Sequence, residues 1–369
     1  MFNNRLPNYI LLQVGTLYIP LLLLLCSTAH AQLRNYSNEF LSIGVDARAF
    51  AMGSAYTATT NDVYSAYWNP AGLTRIGDRW QGAAMHAEYF QSIAKYDFAG
   101  VAIPLENRNT LAIAAYRFGV DNILNTTELI DNQGNIDYDR LSTFSAADYA
   151  VTMSYAGNFF NIPQLDFGIT AKLIYRNVGK FANSFGFGMD AGMQYKSRDF
   201  TLGVMARDIT TTFNVWSVNQ DALNTLEVDG VLLNEAPEET IELTKPKLNI
   251  GATQKIYLSE RFTATGAMDL QFQFAQTNDL ISTEFLSFSP AAGVEVGFDD
   301  MIFVRAGVNN FQQIPNFDGA VKVNFQPNAG VGFKYHGVSV DYALTNIGGQ
   351  GIALYSNIFS VKIDMAEFY

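Results

Sequence analysis

Phe262-Thr263-Ala264-Thr265-Gly266-Ala267-Met268-Asp269-Leu270-Gln271-Phe272-Gln273-Phe274 is the stretch that decides how this chain folds. Phe262, Ala264, Gly266, Met268, Leu270, Phe272 and Phe274 form one set; Thr263, Thr265, Ala267, Asp269, Gln271 and Gln273 form the other. Successive side chains of a strand point to opposite faces, so this period of two predicts a strand with one apolar and one polar face. Outward from it the pattern recurs. Phe167-Ile169-Ala171-Leu173-Tyr175 alternates with Thr170, Lys172 and Arg176, and Phe187-Met189-Ala191-Met193-Tyr195 with Asp190, Gln194 and Lys196. Phe200-Leu202-Val204-Ala206 alternates with Thr201 and Arg207, and Val338-Val340-Tyr342-Leu344 with Ser339 and Asp341. Each run has about the 9–11 residues with which a tilted strand crosses a bilayer.

Fourteen such segments are expected, at 80–91, 94–104, 109–120, 145–158, 164–177, 183–197, 199–209, 246–258, 261–274, 284–298, 301–310, 325–336, 338–346 and 353–365. An even number suits a single-chain bacterial barrel. Every second connection is mostly tight, as at Ser197-Arg198, Ser259-Glu260, Asp299-Asp300 and Gly337. Among the alternate ones, 121–144, 210–245, 275–283 and 311–324 are long. That asymmetry is the one expected of short periplasmic turns opposite long outer loops, with both termini periplasmic. The final strand alternates Phe359, Val361, Ile363 and Met365 with Ser360, Lys362 and Asp364, and the chain closes on Phe368-Tyr369. The expected fold is therefore all-β, a transmembrane antiparallel barrel of about 14 strands.

Residues 1–31 read as a secretory signal peptide: Arg5, an apolar run from Tyr9 to Leu25, then Ala29-His30-Ala31 before a cleavage point ahead of Gln32. Cys26 is the only cysteine and falls inside that leader, so the mature chain is expected to carry neither a disulfide nor a thiolate metal site. A formal charge of −12 would repel nucleic-acid phosphates. Half the residues are hydrophobic, yet mean hydropathy is only +0.04, and no later run approaches the ~18 apolar residues of a membrane helix. An apolar outside around a polar inside reconciles these facts.

Residues 32–78 do not alternate. Asp46-Ala47-Arg48-Ala49-Phe50-Ala51-Met52-Gly53 is a small-residue run suited to close packing against backbone. Asn61-Asp62 is a helix start, and Asn69-Pro70-Ala71-Gly72-Leu73 ends that helix, since proline biases its predecessor toward extended backbone. Together they suggest a plug of residues 32–78 in the periplasmic mouth of a barrel formed by 79–369. Asp46, Arg48, Met52 and Gly53, with Trp68, Asn69, Pro70 and Gly72 further on, resemble the hatch of the FadL-like outer-membrane superfamily. With Ser37-Asn38-Glu39-Phe40-Leu41-Ser42-Ile43-Gly44 ahead of them, they resemble more closely the start of the PorV/PorQ family of Bacteroidota. That resemblance implies an outer-membrane barrel acting as a type IX secretion accessory, which binds or shuttles exported proteins with partners in a secretion and attachment complex. The broader FadL-like branch implies instead a transporter of hydrophobic small molecules, with a hydrophobic ligand.

No cofactor and no enzymatic chemistry are expected. His86 and Glu88 share one strand face, read as lumen lining, and His336 stands apart. Gly348-Gly349-Gln350-Gly351 lacks the strand-to-helix context of a phosphate cradle. Lys172, Arg176, Asp190, Arg207, Lys255, Asp269, Glu295, Arg305, Asp341 and Lys362 are the expected inward charges. Both signs are interspersed, which favours salt-bridge networks holding a plug over an ion-selective pore. Arg48 is the expected hatch partner of one inward acid. Within 210–245, Glu227, Asp229, Glu235, Glu238, Glu239 and Glu242 with Val231, Leu232 and Leu233 are read as an outer loop open to a protein partner.

Overall fold

The computed structural model describes residues 37–90, 92–130, 135–158, 162–223, 226–228, 231–233, 241–315, 321–347 and 355–368. The expected signal peptide lies outside them, as does Gly348-Gly349-Gln350-Gly351.

Fourteen antiparallel strands form the wall. They are β1 (Gln81–Tyr89), β2 (Ala94–Pro104), β3 (Thr110–Asn125), β4 (Ser142–Gly157), β5 (Leu165–Val178) and β6 (Ala182–Ser197). β7 is Phe200–Arg207 continued by Thr212–Val218, and β8 is Ile241–Thr244 continued by Lys247–Tyr257. Next come β9 (Phe262–Gln273), β10 (Ser287–Phe298), β11 (Ile302–Pro315), β12 (Val321–Tyr335), β13 (Val338–Thr345) and β14 (Ser356–Asp364). Each pairs with its neighbours in sequence, and β14 pairs back onto β1 from Gln81↔Asp364 to Glu88↔Asn357. Closure leaves the wall without an edge, so its backbone polar groups are satisfied without water.

Exposure is inverted relative to a water-soluble sheet. On β9, Met268 is 65 % exposed while its neighbours Ala267 and Asp269 are buried. Val151, Met153, Leu173, Phe185, Val304, Val331 and Phe359 continue the outward apolar belt on other strands. Apolar side chains outside and carboxylates inside give the barrel the exterior of a membrane-spanning protein.

One end carries tight turns, with left-handed backbone at Arg198, Asp299, Asp300, His336 and Gly337. Connections at the other end include 126–141, 219–240 and 274–286. Several strands run further toward this long-loop end than alternation predicts. β7 continues past Arg207 because Asp208 and Thr211, both at positive φ, turn the chain out of the ladder and back. β8 begins at Ile241, so Glu242 and Thr244 belong to the wall and not to a loop. β11 and β12 run to Pro315 and from Val321, which replaces the expected 311–324 loop by a five-residue gap.

Residues 37–78 run inside the wall. Asp46 caps α1 (Ala47–Ala51) by accepting from the Arg48 amide, and Asn69 ends α2 (Ser65–Trp68) in extended backbone. The Asn69 side chain accepts from the Ala71 amide and Pro70 opens a 3₁₀ turn, Pro70–Arg75, where its missing N–H costs nothing. Small residues permit the fit on both sides. The Met52-Gly53 backbone lies against Gly293 and Gly307 of β10 and β11, where a Cβ on either wall glycine would collide with it.

Candidate functional site

The inner face of the wall has two chemistries. On β1–β3 it is apolar: Met85, Ala87, Tyr96, Phe98, Ala112, Ala114 and Tyr116 are buried. Tyr64 and Tyr67 of the inner segment fill this side, with ring centroids 5.3 Å from Phe98 and 6.0 Å from Tyr116 respectively. Trp68 sits edge-on to Tyr67 and donates its indole N–H to the Val45 carbonyl at 2.8 Å.

From β5 round to β14 the inner face is polar and largely ion-paired. Arg48 donates two hydrogen bonds to Glu295, both 2.7 Å, and Glu295 also accepts from Arg305, which reaches Asp341 at 2.6 Å. Lys362 donates to Asp62 at 2.7 Å. Asp269 accepts the backbone N–H groups of Tyr56 and Thr57 at 3.2 and 2.9 Å. Asp46 accepts from Ser360 of β14 at 3.0 Å. The Asn69 amide donates to the carbonyls of Thr57, Met193 and Val204, joining the inner segment to β6 and β7. Gly72 lies where a Cβ would strike the Thr60 carbonyl.

Lys172 bonds Asp190 and Asp208, beside the break in β7. Arg207 donates to the Tyr67 carbonyl and lies over its ring. Arg176 bonds Asp148 and Glu242 and stacks on Trp216. Lys255 lines a cavity near the tight-turn end, its ammonium 5.2 Å from the Tyr257 ring centroid, and makes no ion pair among the described residues. Asp62, Asp148, Asp208, and Asp166 with its partner Arg75 are not among the inward charges expected from the sequence. Glu242 is expected there as a loop acid, whereas it faces the lumen.

Burial raises the Asp46 carboxyl to about 7, helped by Asp341 and Asp62 and only partly offset by Arg48 and Lys362. Its neutral form is the one this environment favours.

His86 and Glu88 are not lumen residues. His86 contacts Asp97 at 2.7 Å on the outer face of β1 and β2, and Arg117 reaches Asp97 at 3.4 Å beside it. Parity fixes this, since Met85 and Ala87 on the same strand are buried inside. Among the described residues, no group of three His, Cys, Asp or Glu side chains is placed to hold a metal ion.

The inner segment divides the lumen without filling it. A cavity of about 580 Å³ lies against Arg75, Lys196, Lys255 and Asp364, toward the tight turns. A second, of about 380 Å³, lies against Phe50, Tyr67, Trp68, Asn249 and Gln271, toward the long loops. Ser37 and Asn38 reach into the long-loop half, where they bond Glu242, Thr244 and Asn214, so the segment extends well beyond the tight-turn mouth.

The class defined by these features is a closed fourteen-stranded membrane-type barrel with an occupied lumen. Solved structures of the same architecture exist. The CymD monoaromatic hydrocarbon channel superposes with a TM-score of 0.55 at 11 % identity, covering 89 % of this chain and 99 % of that one. A deltaS2S3 mutant of the TodX monoaromatic hydrocarbon channel gives 0.53 at 12 % identity, covering 87 % and 99 %. At such identities the likeness is one of fold. No protein-family model and no curated protein matches the sequence.

Proposed function

We propose that the protein spans the bacterial outer membrane and passes small molecules through its lumen, with residues 37–78 as the gate. The carrying observation is the divided lumen: a cavity on each side of one polypeptide segment, inside a closed wall with an apolar exterior. The shared fold with hydrocarbon channels supports a transporter. The tight turns are assigned to the periplasm and the long loops to the cell surface, by the loop-length asymmetry of such barrels.

A secretion accessory, the reading that the amino-terminal motif first suggests, gains no support. Asp46, Arg48, Met52, Gly53, Asn69 and Pro70 pack the segment against the wall, and Gly72 packs against Thr60 within the segment. Any barrel with this plug would need them, so the motif does not require protein cargo. The hydrocarbon channels that share the fold support a hydrophobic passenger, while the apolar wall at β1–β3 of this lumen is already filled by Tyr64 and Tyr67.

The test is solute flux into liposomes carrying the purified protein. Arg48→Ala, which removes the segment's link to Glu295, is expected to raise flux with unchanged heat-modifiable mobility on gels. Equal flux in wild type and variant, both at the level of protein-free liposomes, would refute the gate. Specific co-purification of exported proteins from detergent-solubilised membranes would restore the secretion reading.

A further inference from the structure

The cavity on the long-loop side has an unusual wall. Asn249, Gln271 and Ser289 stand in register on adjacent strands β8, β9 and β10, since Asn249 pairs with Gln271 and Gln271 with Ser289. All three line that cavity. Side chains so paired sit about 5 Å apart and form one continuous strip. Among the described residues nothing hydrogen-bonds the side chains of Asn249 or Gln271, and the buried Ser289 hydroxyl has no partner. The Tyr89 hydroxyl, on β1, lines the same cavity and is also buried without a partner.

Buried polar groups ordinarily find partners, and leaving one unpaired costs about 1–3 kcal/mol. The Ser289 and Tyr89 hydroxyls carry that cost, and the Asn249 and Gln271 amides beside them stand open to the cavity, which marks a site whose partner arrives from outside. The fixed charges nearby are already engaged: Lys247 with Glu39 and Ser42, Arg207 with the Tyr67 carbonyl. Asp279 also lines the cavity and accepts from the Thr277 hydroxyl, while the amides and hydroxyls of the strip are neutral and each both donates and accepts. Phe50, Tyr67 and Trp68 close the floor with apolar surface.

We infer that this cavity binds a small neutral polyhydroxylated molecule, a mono- or disaccharide, and not a hydrocarbon. Hydroxyls that donate and accept match the strip of Asn249, Gln271 and Ser289, and the C–H faces of a sugar ring match the aromatic floor. A hydrocarbon would leave the strip both buried and unpaired. This inference rests on the transporter reading and names its substrate class.

Titration calorimetry of the detergent-purified full chain tests it, with maltose, glucose and toluene as probes. Saturable heat is expected with at least one sugar and none with toluene. Gln271→Leu and Asn249→Leu are each expected to weaken sugar binding about tenfold, the loss of one well-placed hydrogen bond. Both must keep heat-modifiable mobility; Ser289→Ala, which removes a single atom, serves as the milder variant should either fail to fold. Toluene binding with no sugar binding, or sugar binding unchanged in every folded variant, would overturn the assignment. Liposome flux separates the two readings. Sugar binding without sugar flux keeps the site and removes the transporter, whereas flux of small solutes with no sugar binding keeps the transporter and removes the site.

Discussion

The two inner walls hold the same segment by opposite means. Along β1–β3, Phe98 and Tyr116 meet Tyr64 and Tyr67 ring against ring. Along β9–β14, Asp269, Glu295, Ser360 and Lys362 meet it through ions and hydrogen bonds, with Arg305 and Asp341 behind Glu295. Aromatic packing is indifferent to pH and nearly so to salt, while a buried ion pair is only as good as its protonation and its partner. A segment anchored on both walls can therefore be released from one side while the other still keeps it in the barrel.

The largest effect is expected at Glu295→Gln, which takes the carboxylate from Arg48 and leaves Arg305 with Asp341 alone. Removing one member of a buried ionic group costs about 3–5 kcal/mol. Single-channel conductance should rise and hydrogen exchange in α1 should quicken. Conductance at the wild-type level would mean that the charged wall is not an anchor. Tyr116→Leu addresses the other wall, with an expected loss of roughly 1–2 kcal/mol from the cavity it leaves. Thermal stability should fall while conductance stays low, because the charged wall still holds; a rise matching that of Glu295→Gln would erase the contrast.

The effect of pH is separate from both. Asp46 is raised from its ordinary 3.8 to about 7, so the stabilisation that its neutral form provides is complete below about pH 4 and lost as pH rises through 7. Protection of the α1 amides, measured relative to their intrinsic exchange at each pH, should fall between roughly pH 4 and pH 7, and Asp46→Asn should flatten the dependence. A profile unchanged by the substitution would exclude Asp46 as its source. Least of all is expected from Asp299→Ala at the tight-turn rim, where Arg261 and Asp299 pair in full exposure. Melting temperature and conductance should both match wild type.

The sequence makes one of these walls far easier to read than the other. On β9 a Met268 beside an Asp269 leaves no doubt about which face is which. On β1 the candidates are Ala84, His86 and Glu88 against Met85 and Ala87, and small residues hide the parity, which is why His86 and Glu88 look inward from sequence. Inward charges such as Glu295 and Asp341 are legible because they interrupt apolar alternation. Asp208 and Glu242 are not, because they lie at or beyond the break in β7 and β8 where alternation lapses. The plug motif shows that something packs closely there. Which strand each of its residues meets depends on closure of the barrel, which no local pattern encodes.

Tyr64 lies under the seam of the barrel. Its hydroxyl is within reach of two carbonyls, Ala84 of β1 at 3.2 Å and Val361 of β14 at 3.3 Å, one on each side of the last pairing. Asp46 does the same, with its amide against Met85 and its carboxylate against Ser360. Gln81 and Asp364 are the wall's most distant partners in sequence, and the entropy of joining chain ends grows with the length between them. A segment that grips both edges shortens that effective distance and admits one register, since a slip by one residue would turn every side chain of β14 to the wrong face. The inner segment thus bridges the joint of the wall like a splint, in contact with both of the strands that meet there.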